Sequence, residues 1–124
     1  MNLLMCPVCR EALTLNERTW RCANSHSYDV AKQGYVNLHV VQHKHSKNPG
    51  DTRESVQARR AFLSAGHYAP LQQAVINKVR ELRIENLLDI GCGEGYYTDA
   101  MQAEVLQCVG VDIAKNAVQV AAKI

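Results

Sequence analysis

No apolar run in this 124-residue chain approaches the roughly 18–20 residues that a membrane-spanning helix needs, which excludes such a span within it. Residues 1–6 also lack the charged start and long apolar core of a secretory signal. A strong charge of either sign is missing too. Fourteen Lys and Arg stand against twelve Asp and Glu, a formal net charge of +2. That is too little to mark a nucleic-acid binder by bulk charge, so any basic surface has to be local. There is no internal repeat and no low-complexity tract. What remains, 47% hydrophobic and 21% charged, fits a folded protein, expected in the cytoplasm. The length suits one ordinary domain, or a small module joined to part of another. In a reducing compartment the five cysteines read as metal ligands or buried thiols rather than disulfides.

Composition divides the chain into residues 1–41, 42–85 and 86–124. The first zone contains three of the five cysteines, the only Trp, and the turn formers Pro7, Asn16 and Asn24. Its alternating stretches Thr19-Trp20-Arg21-Cys22 and Tyr35-Val36-Asn37-Leu38 predict strands. The second zone opens with a polar basic loop, His43-Lys44-His45-Ser46-Lys47 followed by Asn48-Pro49-Gly50. A helix follows, capped by Asp51 or Thr52, with Glu54 placed three residues after Asp51 as in a capping box. Its apolar positions Val56, Ala58, Phe62 and Leu63 leave Arg53, Arg59 and Arg60 largely outside, and Gly66 ends it. Pro70 suits an early position of a second helix running through Leu71, Val75, Val79 and Leu82. In the third zone Leu87-Leu88-Asp89-Ile90 predicts a short buried strand, 96–103 a helix, 108–111 a second strand and 115–123 another helix. That order opens a parallel sheet.

Cys6-Pro7-Val8-Cys9 is followed after twelve residues by Cys22-Ala23-Asn24-Ser25-His26. Two close ligands on one turn and two on another can converge tetrahedrally on one zinc ion, and thiolate and imidazole are ligands zinc favours. About forty residues hold too small a core to fold comfortably alone, so metal binding would supply much of the stability. Four protein ligands leave no open coordination position, which makes the expected zinc structural. The plain alternative is two buried cysteine pairs with an exposed His26.

Asp89-Ile90-Gly91-Cys92-Gly93-Glu94-Gly95-Tyr96 lies between a predicted strand and a predicted helix. Its glycines let the backbone turn sharply and approach a ligand closely. Asp112 ends the next strand, 21 residues after Gly91, where a carboxylate can accept both hydroxyls of a ribose. A dinucleotide site needs Gly-x-Gly-x-x-Gly. Here the spacing is Gly-x-Gly-x-Gly, Tyr96 stands where Gly or Ala is wanted, and Glu94 would repel a pyrophosphate. S-adenosylmethionine has no phosphate and carries cationic sulfonium and amino groups, which suit Asp89 and Glu94. Gly91, Gly93, Glu94, Gly95, Tyr96, Asp89 and Asp112 are therefore the candidate cofactor residues. Cys92 reads as a small packed residue and Cys108 as core, neither of them a nucleophile.

These features resemble the bacterial 23S ribosomal RNA (guanine-N1)-methyltransferases, which methylate a guanine in hairpin 35. The resemblance covers essentially the whole chain. It rests on Cys6-x-x-Cys9, Cys22-x-x-x-His26, Tyr28-Asp29-x-Ala31-Lys32-x-Gly34-Tyr35-Val36-Asn37-Leu38, Pro49-Gly50-Asp51, Ala58-Arg59-x-x-Phe62-Leu63, Gly66-His67-Tyr68 and the loop from Asp89 to Thr98. It implies an α/β architecture: a small zinc-ribbon-like module, two linker helices, then the opening β-α-β-α of a class I, Rossmann-like methyltransferase domain. It further implies an RNA-recognition role for the zinc module, a 23S rRNA hairpin as partner, and contact of Tyr68 with S-adenosylmethionine beside Gly93 and Glu94. Arg10, Arg18, Arg21, Lys32 and the 43–47 run are candidates to grip RNA backbone.

A methyltransferase sheet has several more strands than lie before Ile124, and the group that accepts the guanine proton is expected beyond that residue. As a complete polypeptide the chain is expected to be inactive, with its open sheet favouring self-association into a homodimer. A non-catalytic zinc-ribbon RNA-binding fragment and a small-molecule methyltransferase are the competing readings.

Overall fold

The computed structural model describes residues 3–40 and 50–124, so the basic run at 43–47 lies outside the described residues. The chain divides into two compact units, residues 1–47 and 48–124.

In the first unit, three-residue strands β1 (Thr14–Asn16), β2 (Thr19–Arg21) and β3 (Ser27–Asp29) form an antiparallel sheet in the order β1-β2-β3. Trp20 on the central strand stands opposite Leu15 on one side and Tyr28 on the other. The buried centre is Cys6, Leu13 and Cys22, with Leu4, Cys9, Trp20, Tyr28 and Leu38 packed around it. Two of those three buried side chains are thiols, so apolar burial alone supplies little stability. The strand expected at 35–38 does not form. Only an isolated bridge, Val30 to Val36, is made there. The Asn37 side chain accepts a hydrogen bond from the His39 amide at 2.9 Å, a local turn that competes with strand pairing.

The second unit begins with α1 (Arg53–Ser64), whose cap is Thr52: its side chain accepts from the Ser55 amide at 3.2 Å. Thr52 with Ser55, rather than Asp51 with Glu54, therefore closes the helix start. Gly66 ends the helix at φ 91°, and α2 (Ala69–Glu81) follows with Pro70 in its first turn. Of the expected core positions only Val56 and Leu63 of α1 and Val79 of α2 are buried, while Phe62, Leu71 and Leu82 are exposed.

Strands β4 (Asn86–Ile90) and β5 (Gln107–Val111) pair in parallel, Leu88 beside Val109 and Ile90 beside Val111, with α3 (Tyr96–Gln102) between them and α4 (Lys115–Ala121) after. The helices read as linkers are packed parts of this unit. Val56 of α1 is buried with Ala114 and Ala117 at the start of α4. Arg80 of α2 grips Glu104 through two 2.8 Å bonds. That hydrogen bond holds Glu104 below the usual carboxylate range against the opposing effect of its burial. A depressed folded-state value stabilises above the unfolded pKa and fades as pH falls through the folded one. Wild type should therefore exceed Glu104→Gln in melting temperature near neutrality, and lose that margin on acidification below about pH 4.

Gly50, where the chain enters this unit, sits at φ 88°; a Cβ there would lie 2.6 Å from the Ala114 Cβ. Both the left-handed backbone and the close approach require glycine. Gly50→Ala should cost the second unit about 2–3 kcal/mol in denaturant unfolding.

Candidate metal centre and cofactor loop

Two tight turns in the first unit present the four candidate metal ligands. In one, the Arg10 amide bonds the Cys6 carbonyl at 2.8 Å; in the other, the Ser25 amide bonds the Cys22 carbonyl at 3.1 Å. Arg10 and Ser25 both take positive φ, 66° each, to close these turns. The result gathers Cys6, Cys9, Cys22 and His26, with all four ligand atoms within 4.8 Å of one another. A tetrahedral zinc with Zn–S of about 2.3 Å and Zn–N of about 2.0–2.1 Å needs S···S of about 3.8 Å and S···N of about 3.5–3.6 Å. The Sγ atoms of Cys9 and Cys22 are 3.7 Å apart, and His26 Nδ1 lies 3.6 Å from Cys6 Sγ and 3.3 Å from Cys22 Sγ. The residues fit one zinc ion.

A residue to which sequence reasoning gave no metal role completes this centre. The Tyr28 hydroxyl lies 3.2 Å from Cys6 Sγ. Burial pushes the Cys6 thiol up, but hydrogen bonds from Tyr28 and from the Cys9 and Val8 backbone outweigh it and bring the thiol down to about 6. The hydrogen bond to that sulfur, with burial added, takes the Tyr28 phenol up to about 12, so it stays a donor. Donors to a ligating sulfur orient it and tune its metal affinity. Tyr28→Phe should weaken zinc binding about tenfold or more in chelator competition, with Zn still bound at one equivalent. Among the RNA-contact candidates, Arg10, Arg21 and Lys32 are exposed. Arg18 is exposed too, and it donates to the Ala31 carbonyl at 2.7 Å, which ties the β1–β2 turn to the segment after β3.

In the second unit the glycine loop turns directly off β4. The amides of Gly91 and Cys92 both bond the Val111 carbonyl, at 2.7 and 2.9 Å, so the loop is anchored to the end of β5. Gly91, Gly93 and Gly95 take φ of 76°, 60° and 94°. Beside Gly91 a Cβ would meet nothing within 4 Å, whereas at Gly95 it would press on Ala121 at 3.1 Å. Gly91 thus leaves room over the loop, and Gly95 lets α4 pack beneath it. A depression of about 370 Å³ opens at the carboxyl ends of both strands, lined by Ile90, Gly91, Val111, Asp112 and Ile113.

Asp112 is held at both oxygens: Gly93 N donates to Oδ2 at 2.9 Å and Ala114 N to Oδ1 at 2.8 Å. A carboxylate has about four acceptor positions, so two backbone donors fix its orientation and leave capacity for ligand hydroxyls. Asp89 accepts from Thr98 Oγ1 at 2.6 Å, tying α3 to β4. Glu94 is only 3% exposed; Arg60 pairs with it at 2.9 Å and the Tyr96 amide donates to its other oxygen at 3.0 Å. Arg60, expected outside, is therefore a partner of the loop, and Glu94 holds the loop's shape with both oxygens engaged. Tyr68, 44% exposed, meets Phe62 edge-on at 5.5 Å. One turn further along α2, Gln72 donates to the Tyr96 carbonyl at 2.9 Å, which brings this helix end to the start of α3. Burial, with the charges of Asp112 and Asp89, pushes the Cys92 thiol up to about 11, and burial with Asp89 raises Cys108. Neither thiol is activated as a nucleophile by its surroundings.

Comparison with known proteins agrees with this division. Residues 4–47 match the zinc-ribbon family described as RlmA, N-terminal, and residues 51–123 match the family described as methyltransferase domain. The chain is 38% identical to a 23S rRNA (guanine(748)-N(1))-methyltransferase of Streptomyces fradiae, across 99% of this chain and 45% of that protein. It is 34% identical to a putative 23S rRNA (guanine-N(1)-)-methyltransferase of Micromonospora griseorubida, across 97% of this chain and 47% of that one. The chain thus spans about half the length of these curated relatives.

Proposed function

Because the chain belongs to the methyltransferase-domain family and carries an RlmA-type zinc ribbon at its N-terminus, we propose that it serves S-adenosylmethionine-dependent methylation of guanine N1 in hairpin 35 of 23S rRNA. The observation behind this reading is the joining of two sites in one chain: a Cys3His cluster of tetrahedral spacing and a glycine loop closed by Asp112. In this reading residues 1–41 recognise RNA, and residues 86–124, with α1 and α2 packed against them, form the cofactor-binding part of the transfer domain.

The bound cofactor supplies a methyl carbon activated by its sulfonium. The chain's own residues position it. Asp112, oriented by the Gly93 and Ala114 amides, takes the ribose hydroxyls. Gly91 leaves room over the loop for the cofactor, Gly95 lets α4 pack against it, and Glu94 accepts from the Tyr96 amide to hold its shape. Tyr68 at the head of α2 contacts the cofactor beside the loop, supported by the Gln72 bond one turn away. Asp89 acts through Thr98, fixing the strand-to-helix turn. Such holding of reactants in an in-line geometry accounts for much of the catalysis in a direct displacement.

Arg10, Arg21 and Lys32 supply the local basic surface for RNA backbone that the near-neutral net charge requires. Self-association into a homodimer belongs to the same proposal. Leu88 and Ile90 are 60% and 78% exposed on one sheet face, an apolar surface that water disfavours. Sedimentation velocity at rising concentration checks it, and a concentration-independent monomer contradicts it. The enzymatic reading is tested by labelled-methyl transfer to hairpin 35 RNA, with mass spectrometric detection of N1-methylguanine. Label on small-molecule acceptors but not on RNA would favour a different substrate class.

A further inference from the structure

Two adjacent arginines of α1 stand at the cofactor loop, and only one of them is matched by an acid. Arg60 is committed to the buried Glu94. Arg59 is exposed, and among the described residues it makes no hydrogen bond or ion pair. Its NH1 lies 4.0 Å from the point that a Cβ on Gly93 would occupy. A guanidinium therefore hangs over the one loop residue whose amide is gripped by Asp112.

We propose that Arg59 receives the α-carboxylate of the cofactor's amino-acid end, a role that rests on the S-adenosylmethionine reading of the loop. With the ribose on Asp112, whatever extends from its 5′ carbon passes over the neighbouring loop glycines. In S-adenosylmethionine that extension bears a sulfonium, an ammonium and a carboxylate. A guanidinium repels the first two and binds the third, in a planar fork that matches a carboxylate. Glu94 cannot repel the arriving anion as a free acid would, because Arg60 cancels its charge. Among the described residues, Arg59 is thus a cation without an acid partner beside Gly93. That arrangement selects a nucleoside carrying an amino acid over one carrying an amine alone.

The test is calorimetric titration of the zinc-loaded full chain with S-adenosylmethionine and with its decarboxylated form, which keeps both cationic groups and lacks only the carboxylate. Wild type should prefer S-adenosylmethionine by about tenfold or more, the range for a hydrogen-bonded charge. Arg59→Gln should erase the preference while leaving the melting temperature unchanged, and Arg59→Lys should retain part of it. Equal affinity of the wild type for both compounds, or a parallel loss of both in Arg59→Gln, overturns the assignment and leaves the cofactor reading standing. Weakened binding of hairpin RNA with unchanged S-adenosylmethionine affinity overturns it too, in favour of a phosphate contact. A wild-type chain that binds neither compound removes the cofactor reading and this proposal with it.

Discussion

Stripping zinc from the full chain should unfold the first unit and leave the helices of the second intact. The described core there is Cys6, Leu13 and Cys22, of which the two thiols also belong to the Cys3His cluster. Structural zinc supplies on the order of 10 kcal/mol in modules of this kind, more than a core this small can replace. Trp20, the only tryptophan, packs against the same cluster and reports on it alone. Chelation, or Cys22→Ser, should red-shift its emission to that of an exposed indole. The far-ultraviolet helix signal, which comes from α1 to α4, should fall little. Unchanged Trp20 emission after complete metal removal would show that the unit stands on its packing.

The second large effect concerns the pair Arg60 and Glu94. Removing the arginine leaves a carboxylate that is 3% exposed with one backbone donor and no counter-charge. Breaking a buried pair from one side costs about 3–5 kcal/mol, and the partial exposure of Arg60 places Arg60→Gln near the lower end. Glu94→Gln in the same background should recover much of the loss, because a neutral amide can still accept from the Tyr96 amide. Denaturant unfolding of the four variants forms a double-mutant cycle. Additive losses would mean that the two residues act separately.

The Cys3His cluster and the glycine loop were legible because their chemistry is written in short spacings. Cys6-x-x-Cys9 and Cys22-x-x-x-His26 each lie on one turn, and the loop joins one strand to one helix. Helical spacing likewise revealed α1 and α2, but not which faces would be covered. Phe62 was assigned to the core and Arg60 to solvent. The structure exposes Phe62 and turns Arg60 onto Glu94, 34 residues away. Such a partner is invisible in a local pattern, since amphipathic periodicity identifies a face and not its contact. The same limit hid Tyr28, whose hydroxyl meets Cys6 across 22 residues. At 35–38 the alternation suggested a strand, and the Asn37 side chain supplied a competing turn that alternation does not encode.

The central claim is that the loop from Gly91 to Gly95, closed by Asp112, holds S-adenosylmethionine. Titration of the zinc-loaded chain with the cofactor tests it most directly, alongside Asp112→Ala as control. Saturable binding at one equivalent per chain, weakened about tenfold or more by the substitution, is the predicted result. No binding by the folded wild-type chain, or binding indifferent to Asp112, would contradict it.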